Sequence, residues 1–159
     1  MELFLAQNHS ALTHLPIASA ILAAIGAIVA MFSPRKEIGY FWSVLSIVAF
    51  VTVLPLAFTG IFAAQGRFND TGKPYLESGI LVSSSPANER IRTHELLAIT
   101  GSVASLICAS LGLFFLRGRR PNIYLVVLLA ITVAVLWGIG GHLGGKELWG
   151  PDTFPAFVK

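Results

Sequence analysis

Charged residues are scarce in this sequence of 159 residues: Asp, Glu, Lys and Arg together make up 12%, whereas hydrophobic residues make up 55%. A soluble domain usually carries about 25% charged residues. A soluble fold of this length would lack the polar residues needed to cover its surface, which argues against a soluble enzyme. The hydrophobic residues instead fall in four long runs separated by polar segments, a pattern typical of a multi-pass membrane protein.

Cysteine is almost absent as well. Cys108 is the single cysteine, which excludes an internal disulfide, a Cys-x-x-Cys-His haem attachment and a cysteine cluster for zinc or iron–sulfur. No phosphate loop and no nucleophile–base arrangement is present. The sequence therefore leaves catalysis open, and a 17.0 kDa chain with little mass outside the membrane favours a non-catalytic subunit. The net charge of +3 does not indicate nucleic acid, because basic residues in a membrane chain mostly set its topology.

The four runs predict an all-α membrane protein with a single domain over residues 1–159. A membrane-spanning helix needs about 20 mostly apolar residues, and backbone groups in lipid must be hydrogen-bonded within their own segment. Short connections also make the helices that they join antiparallel neighbours. We expect an up-down bundle of four transmembrane helices at about 12–32, 40–64, 95–116 and 122–145, with a long polar loop at 65–93.

The distribution of cations predicts the orientation of this bundle. The two short connections lie on one side of the membrane, and the long loop and both termini lie on the other. Five cations crowd the short connections, whereas six are spread over more than fifty residues of the opposite side. Cation density near helix ends marks the cytoplasmic side, so both termini should face the periplasm or cell exterior. Aromatic residues near the predicted interfaces are expected to form a lipid-facing belt: Tyr40, Trp42, Tyr124 and Trp149.

All four histidines of the sequence map to the same end of the predicted bundle. His14 lies in the first turn of helix one, His94 at the start of helix three and His142 one turn before the end of helix four, while His9 precedes helix one. Imidazole is a common ligand of metals and of haem iron, and a polar ring facing lipid is costly. We therefore expect His14, His94 and His142 to point into the bundle and approach one another. The alternative is that they are interfacial residues that hydrogen-bond loops and cap helix ends.

Small and cationic residues complete the candidate site. Thr59 and Gly60, near the same end of helix two, would let a ring or a neighbouring helix approach closely. Arg90 and Arg92 could pair with haem propionates, quinone oxygens or lipid phosphates. Two stripes of small residues predict close helix–helix contacts: Gly101, Ser105, Cys108 and Gly112 in helix three, and Gly138, Gly141 and Gly145 in helix four.

The segment from His9 to Ala18 resembles the His-Pro-x-x-Val-His-Phe-Pro-Ile-Ala opening of a bacterial inner-membrane family, domain of unknown function 2231. Further motifs of that family match Thr59-Gly60, His94 and the segment Gly141-His142-Leu143-Gly144-Gly145. Ser10 replaces the usual proline, and the long polar loop is not part of the family pattern. The resemblance covers about residues 9 to 150. It implies a four-helix protein of the bacterial inner membrane, and the fusion of some relatives to c-type cytochrome domains implies electron transfer.

Together these observations favour a small subunit of a respiratory or photosynthetic electron-transfer complex. It would hold a b-type haem near the periplasmic face through two of the three histidines, with His14 and His94 as the diagonal axial pair and His142 as a hydrogen-bonding partner or alternative ligand. Expected partners are the lipid bilayer, other membrane subunits, a periplasmic c-type cytochrome and a quinone. Two alternatives stay open: a cofactor-free structural or assembly subunit, and a copper or zinc site without haem to which His9 could contribute.

Overall fold

The computed structural model describes residues 2–33, 35–65 and 86–149, with side chains described for residues 12–33, 35–57, 59–60 and 93–144. All regular structure in these residues is helical: α1 (Glu2–Phe32), α2 (Lys36–Gln65), α3 (Pro86–Leu116) and α4 (Ile123–Trp149). The segments long and apolar enough to cross a membrane are Leu12–Phe32, Lys36–Ala57, Thr93–Leu116 and Ile123–Gly144. The prediction of an all-helical multi-pass architecture is confirmed in these residues.

The helices are longer than predicted at several ends. Both α1 and α3 begin well before the apolar segment, and part of the predicted polar loop belongs to helices α2 and α3. Hydropathy detects the apolar segment of a helix and misses a polar extension, because the extension has hydrogen-bonded backbone but little apolar surface.

Local sequence explains where α3 ends and α4 begins. Gly118 adopts a left-handed φ of 79°, and the N–H groups of Gly118 and Arg119 donate to the carbonyls of Phe115 and Phe114. This pair of bonds is a Schellman cap, which needs glycine at the left-handed position. Asn122 then caps α4 by accepting a hydrogen bond from the Tyr124 N–H at 3.0 Å. Two adjacent caps produce the short connection and the antiparallel α3–α4 pair.

The four helices form a ring in which each packs against two neighbours. The contacting pairs are α1–α2, α2–α3, α3–α4 and α1–α4, so α1 and α3 lie diagonally opposite, as an up-down bundle predicts. We call the end with the connections 33–35 and 117–122 the loop end. The opposite end, where α1 and α3 begin and α2 and α4 end, is called the terminal end.

Small residues fill most of the bundle interior. Alanine, serine and glycine let helices approach closely, and this packing replaces the hydrophobic effect as the main source of helix association in lipid. At Gly112, an added Cβ would lie 3.0 Å from the backbone oxygen of Ser43, so α2 and α3 are in backbone contact there. Trp42 is 1% exposed, so its predicted place in a lipid-facing aromatic belt is wrong, whereas Tyr40 and Tyr124 are exposed. The buried small residues include Ala20, Ala24, Ala27, Ser43, Ser46, Ala49, Ser105, Cys108 and Ala130.

Buried polar groups in the bundle centre are paired. Trp137 Nε1 donates to Ser105 Oγ at 3.0 Å, and Ser105 Oγ donates to the Gly101 carbonyl at 2.7 Å, which ties α4 to α3. Ser46 Oγ lies 3.5 Å from Cys108 Sγ and ties α2 to α3. A cavity of about 10 Å³ lies among these groups and the neighbouring alanines. That volume is close to the minimum for one water molecule.

Candidate functional site

His94 is the predicted site residue that the structure places on the inner face of the bundle. It lies at the terminal end of α3, two turns of helix from Gly101 and three from Ser105, on the stripe that packs inward. Its Nδ1 lies 2.8 Å from the carbonyl oxygen of Gly140 in α4. A Cβ added to Gly144 would lie 2.7 Å from His94 Cε1 and 3.3 Å from Nε2. The imidazole therefore packs against the turn of α4 between Gly140 and Gly144.

This hydrogen bond determines the tautomer of His94. A carbonyl oxygen only accepts, so the proton must be on Nδ1. In the neutral ring, Nε2 then carries a lone pair and can accept a hydrogen bond or bind a metal ion. Fixing one ring nitrogen with a backbone carbonyl is how proteins commonly orient a histidine ligand. His94 is therefore held in an orientation suited to a ligand, and the same bond is also an interhelical clamp.

Glycines at the terminal end of α4 allow both α1 and α3 to approach α4 closely. Gly140 and Gly144 face α3, where they contact Leu97 and His94, and a Cβ on Gly141 would lie 2.5 Å from Ile17 of α1. The close contact predicted for Gly141 is thus confirmed, as are those of Gly101 and Gly112 in α3. A Cβ on Gly138 would have open space around it, so the close helix contact predicted for Gly138 is wrong. The contacts of Gly145 lie outside the described residues.

His14 and His142 face the outside of the bundle, contrary to the expectation that all three imidazoles point inward. Both side chains are exposed. At about 100° per residue, His14 shares its face with the exposed Ile21 and Ile25, and His142 shares its face with the exposed Ile131 and Val135. The inward face of α1 is formed by alanines and that of α4 by Val126, Ala130, Val133 and Trp137, which leaves the opposite faces for these two histidines.

Thr59 and Gly60 lie at the level of His94. The register of α2 against α3, in which Ser46 meets Cys108 and Ser43 meets Gly112, places Thr59 opposite residue 96. Thr59 is buried, and its hydroxyl donates to the carbonyls of Pro55 at 3.0 Å and Leu56 at 3.1 Å. The threonine thus stabilises the turn of α2 that follows Pro55, and Gly60 is half-buried beside it.

The remaining predicted site residues lie in helices whose side chains are outside the described residues: His9, Arg90 and Arg92. Their predicted roles stay predictions. Among the side chains that the structure describes, no group of three or more His, Cys, Asp or Glu residues is close enough to hold a metal ion. A three-histidine site within one copy of the chain is therefore not assembled by the described residues.

The residues of the interior do not fit a haem held between His14 and His94. His14 faces away from the interior, and the cavity at the centre of the described residues has a volume of only about 10 Å³. Pockets for drug-sized ligands have volumes of about 300–1,000 Å³, far above that cavity. A haem in this position would require α1 to rotate and the helices to separate. His94 alone fits the role of a single ligand at the terminal end.

In comparisons with known proteins, no family model matches the sequence, and no curated protein or solved structure matches it significantly.

The His94 clamp makes a spectroscopic prediction. In histidine ¹⁵N-labelled protein in detergent, His94 should give the spectrum of the Nδ1–H tautomer, because Gly140 O accepts from that nitrogen. Gly144→Ala should abolish this spectrum, since the added methyl occupies the position of the ring. Gly138→Ala is the matched control and should leave it unchanged. An Nε2–H tautomer in the unmodified protein would contradict the geometry.

Proposed function

We propose that this chain is a small structural subunit of an electron-transfer complex in the bacterial inner membrane. The single observation that supports this proposal is the close packing of the described interior: four helices long enough to span a membrane pack against one another through alanines, serines, a few larger aliphatic residues and two tryptophans. A bundle packed in this way offers its surface, rather than an internal pocket, to other molecules. The scarcity of charge on that surface suits contact with lipid and other membrane subunits.

Native electrophoresis of solubilised membranes tests the structural role. Removing this chain should lower the amount of one respiratory or photosynthetic complex, and restoring the unmodified chain should bring the complex back. Gly112→Leu should fail to restore it, because the added side chain would collide with the backbone of Ser43. If the chain migrates alone and every complex survives its removal, the proposal is wrong.

A second candidate function is electron transfer through a b-type haem at the terminal end. The observation in its favour is the hydrogen bond from His94 Nδ1 to the Gly140 carbonyl, which leaves the lone pair of the neutral ring on Nε2, the nitrogen that would bind the metal. Bound haem would supply a one-electron redox centre. The contribution of this chain would be to hold one axial imidazole in a fixed orientation, and the second ligand would come from elsewhere in the assembly. A periplasmic c-type cytochrome and a quinone are the proposed redox partners.

The absorption spectrum separates these two functions. For the structural subunit, the purified protein should lack a Soret band even after expression with added haem precursor. For the haem subunit, it should show a Soret band and sharp α and β bands on reduction, and His94→Ala should abolish them. A Soret band that survives His94→Ala but is lost in His14→Ala would contradict the assignment of the ligand to His94.

The orientation of the bundle is a further prediction, drawn from cation density. Both termini should be periplasmic and the loop end cytoplasmic, because Arg35, Lys36, Arg117, Arg119 and Arg120 all lie at the loop end. Alkaline phosphatase fused after Lys159 should be active, and the same reporter inserted next to Arg35 should be inactive. The reverse pattern would place the terminal end, and with it His94, in the cytoplasm.

A further inference from the structure

The two outward-facing histidines lie at the same level of the bundle. A Cβ on Gly141 would contact both Ile17 and Thr13, so these residues set the register of the antiparallel α1–α4 pair. His14 follows Thr13, and His142 follows Gly141. The two imidazoles therefore lie at the same level along the bundle axis.

The two histidines also point to the same side of the α1–α4 pair. Viewed down the axis of α1, the direction toward α4 lies between Thr13 and Ile17. At about 100° per residue, the His14 side chain is rotated by about 80° from that direction. Gly141 faces α1, and His142 lies about 100° further round α4. Because the two helices run in opposite directions, equal rotations along their chains turn both side chains to the same side. That side is the outer one, which agrees with the exposure of both residues.

These two observations place a pair of imidazoles next to each other on one surface. Packed helix axes are about 8–10 Å apart, and two imidazole nitrogens that share a metal ion at about 2 Å each are roughly 3–4 Å apart. Each ring therefore has to lean about 3 Å toward the other to reach a common ion. The open space at Gly138, one turn from His142 on the same face, leaves room for this movement.

We propose that His14 and His142 form a binding site for an imidazole-preferring divalent cation, Zn²⁺ or Cu²⁺, on the outer face of α1 and α4. Neutral imidazole binds both ions well. Two protein ligands leave the remaining positions to water, which is accessible at the edge of the membrane. The proposal requires the bundle alone and is independent of any cofactor at His94.

Zinc titration of the purified full-length protein in detergent tests this site. Metal-free protein should bind one Zn²⁺ per chain by calorimetry. His14→Ala and His142→Ala should each weaken zinc binding by more than about tenfold. Removing a group that only hydrogen-bonds to a metal ligand already weakens binding by about tenfold or more, and removing the ligand itself should weaken it further. Val135→Ala, two turns away on the same exposed face of α4, is the control and should bind normally. Circular dichroism checks that each variant is folded.

His94→Ala distinguishes this site from one at the inner face. Under the proposal, that variant keeps its zinc affinity, because His94 faces the interior. The nitrogen hyperfine pattern of bound Cu²⁺ should show two imidazoles in the unmodified protein and one in either single variant. Zinc affinity that follows His94, or that survives in the His14→Ala, His142→Ala double variant, would overturn the proposal.

Discussion

Gly112→Leu should lower the free energy of unfolding of the bundle by about 3 kcal/mol, the upper end of the range for overpacked cores. An added Cβ at Gly112 would lie 3.0 Å from the carbonyl oxygen and 3.2 Å from the Cα of Ser43. Both are backbone atoms, which cannot rotate away as a side chain can. The larger side chain therefore has to push α2 and α3 apart. Unfolding in mixed detergent micelles, followed by tryptophan fluorescence, measures the loss.

Gly138→Leu is the matched control for this experiment. Gly138 also lies within a helix, and a Cβ there would have open space around it. We expect no loss of stability there, because replacing an exposed helical glycine by leucine is favourable by up to about 1 kcal/mol of helix propensity. If the two leucine variants lose equal stability, the loss stems from the chemistry of the substitution, and the close approach of α2 and α3 has no energetic importance.

Trp42→Ala should have the largest effect of any single truncation, about 3–5 kcal/mol of unfolding free energy. Trp42 is 1% exposed and is among the largest fully buried side chains. Its ring packs at 5.8 Å from the ring of Phe115 in α3, and its Cβ faces Gly26 of α1. The side chain therefore connects three helices, and its removal leaves a cavity lined by side chains that small neighbours cannot fill.

Tyr124→Ala removes an aromatic side chain of similar class from the surface and serves as the control. Tyr124 is 72% exposed, so its truncation should change the free energy of unfolding by no more than about 0.5 kcal/mol. The same unfolding assay compares the two variants. An equal effect of the two truncations would show that Trp42 is not buried between the helices. It would instead agree with the predicted position of Trp42 in a lipid-facing aromatic belt.

The candidate site was only partly predictable from the sequence. The sequence placed His14, His94 and His142 near the same end of the bundle, because the position of a residue along a helix is a count of residues. It missed the carbonyl of Gly140 as the partner of His94, because every residue has a carbonyl and no pattern distinguishes this one. It also placed Gly138 rather than Gly140 and Gly144 at a helix contact, because glycines crowd this end of α4 on more than one face.

The sequence by itself determined the number of helices, their apolar segments and their antiparallel order, because these follow from the length of apolar runs and from short connections. Only the tertiary structure decided which way His14, His94 and His142 face. The four helices are apolar on all sides, as α3 shows in having almost no hydrophobic asymmetry around its axis, so hydrophobicity does not mark their inner face. The inner face is chosen instead by close packing of small residues. In α1 the stripe of Ala20, Ala23, Ala24 and Ala27 turns inward, and that rotation sends His14 to the surface while the stripe below His94 in α3 turns that imidazole toward α4.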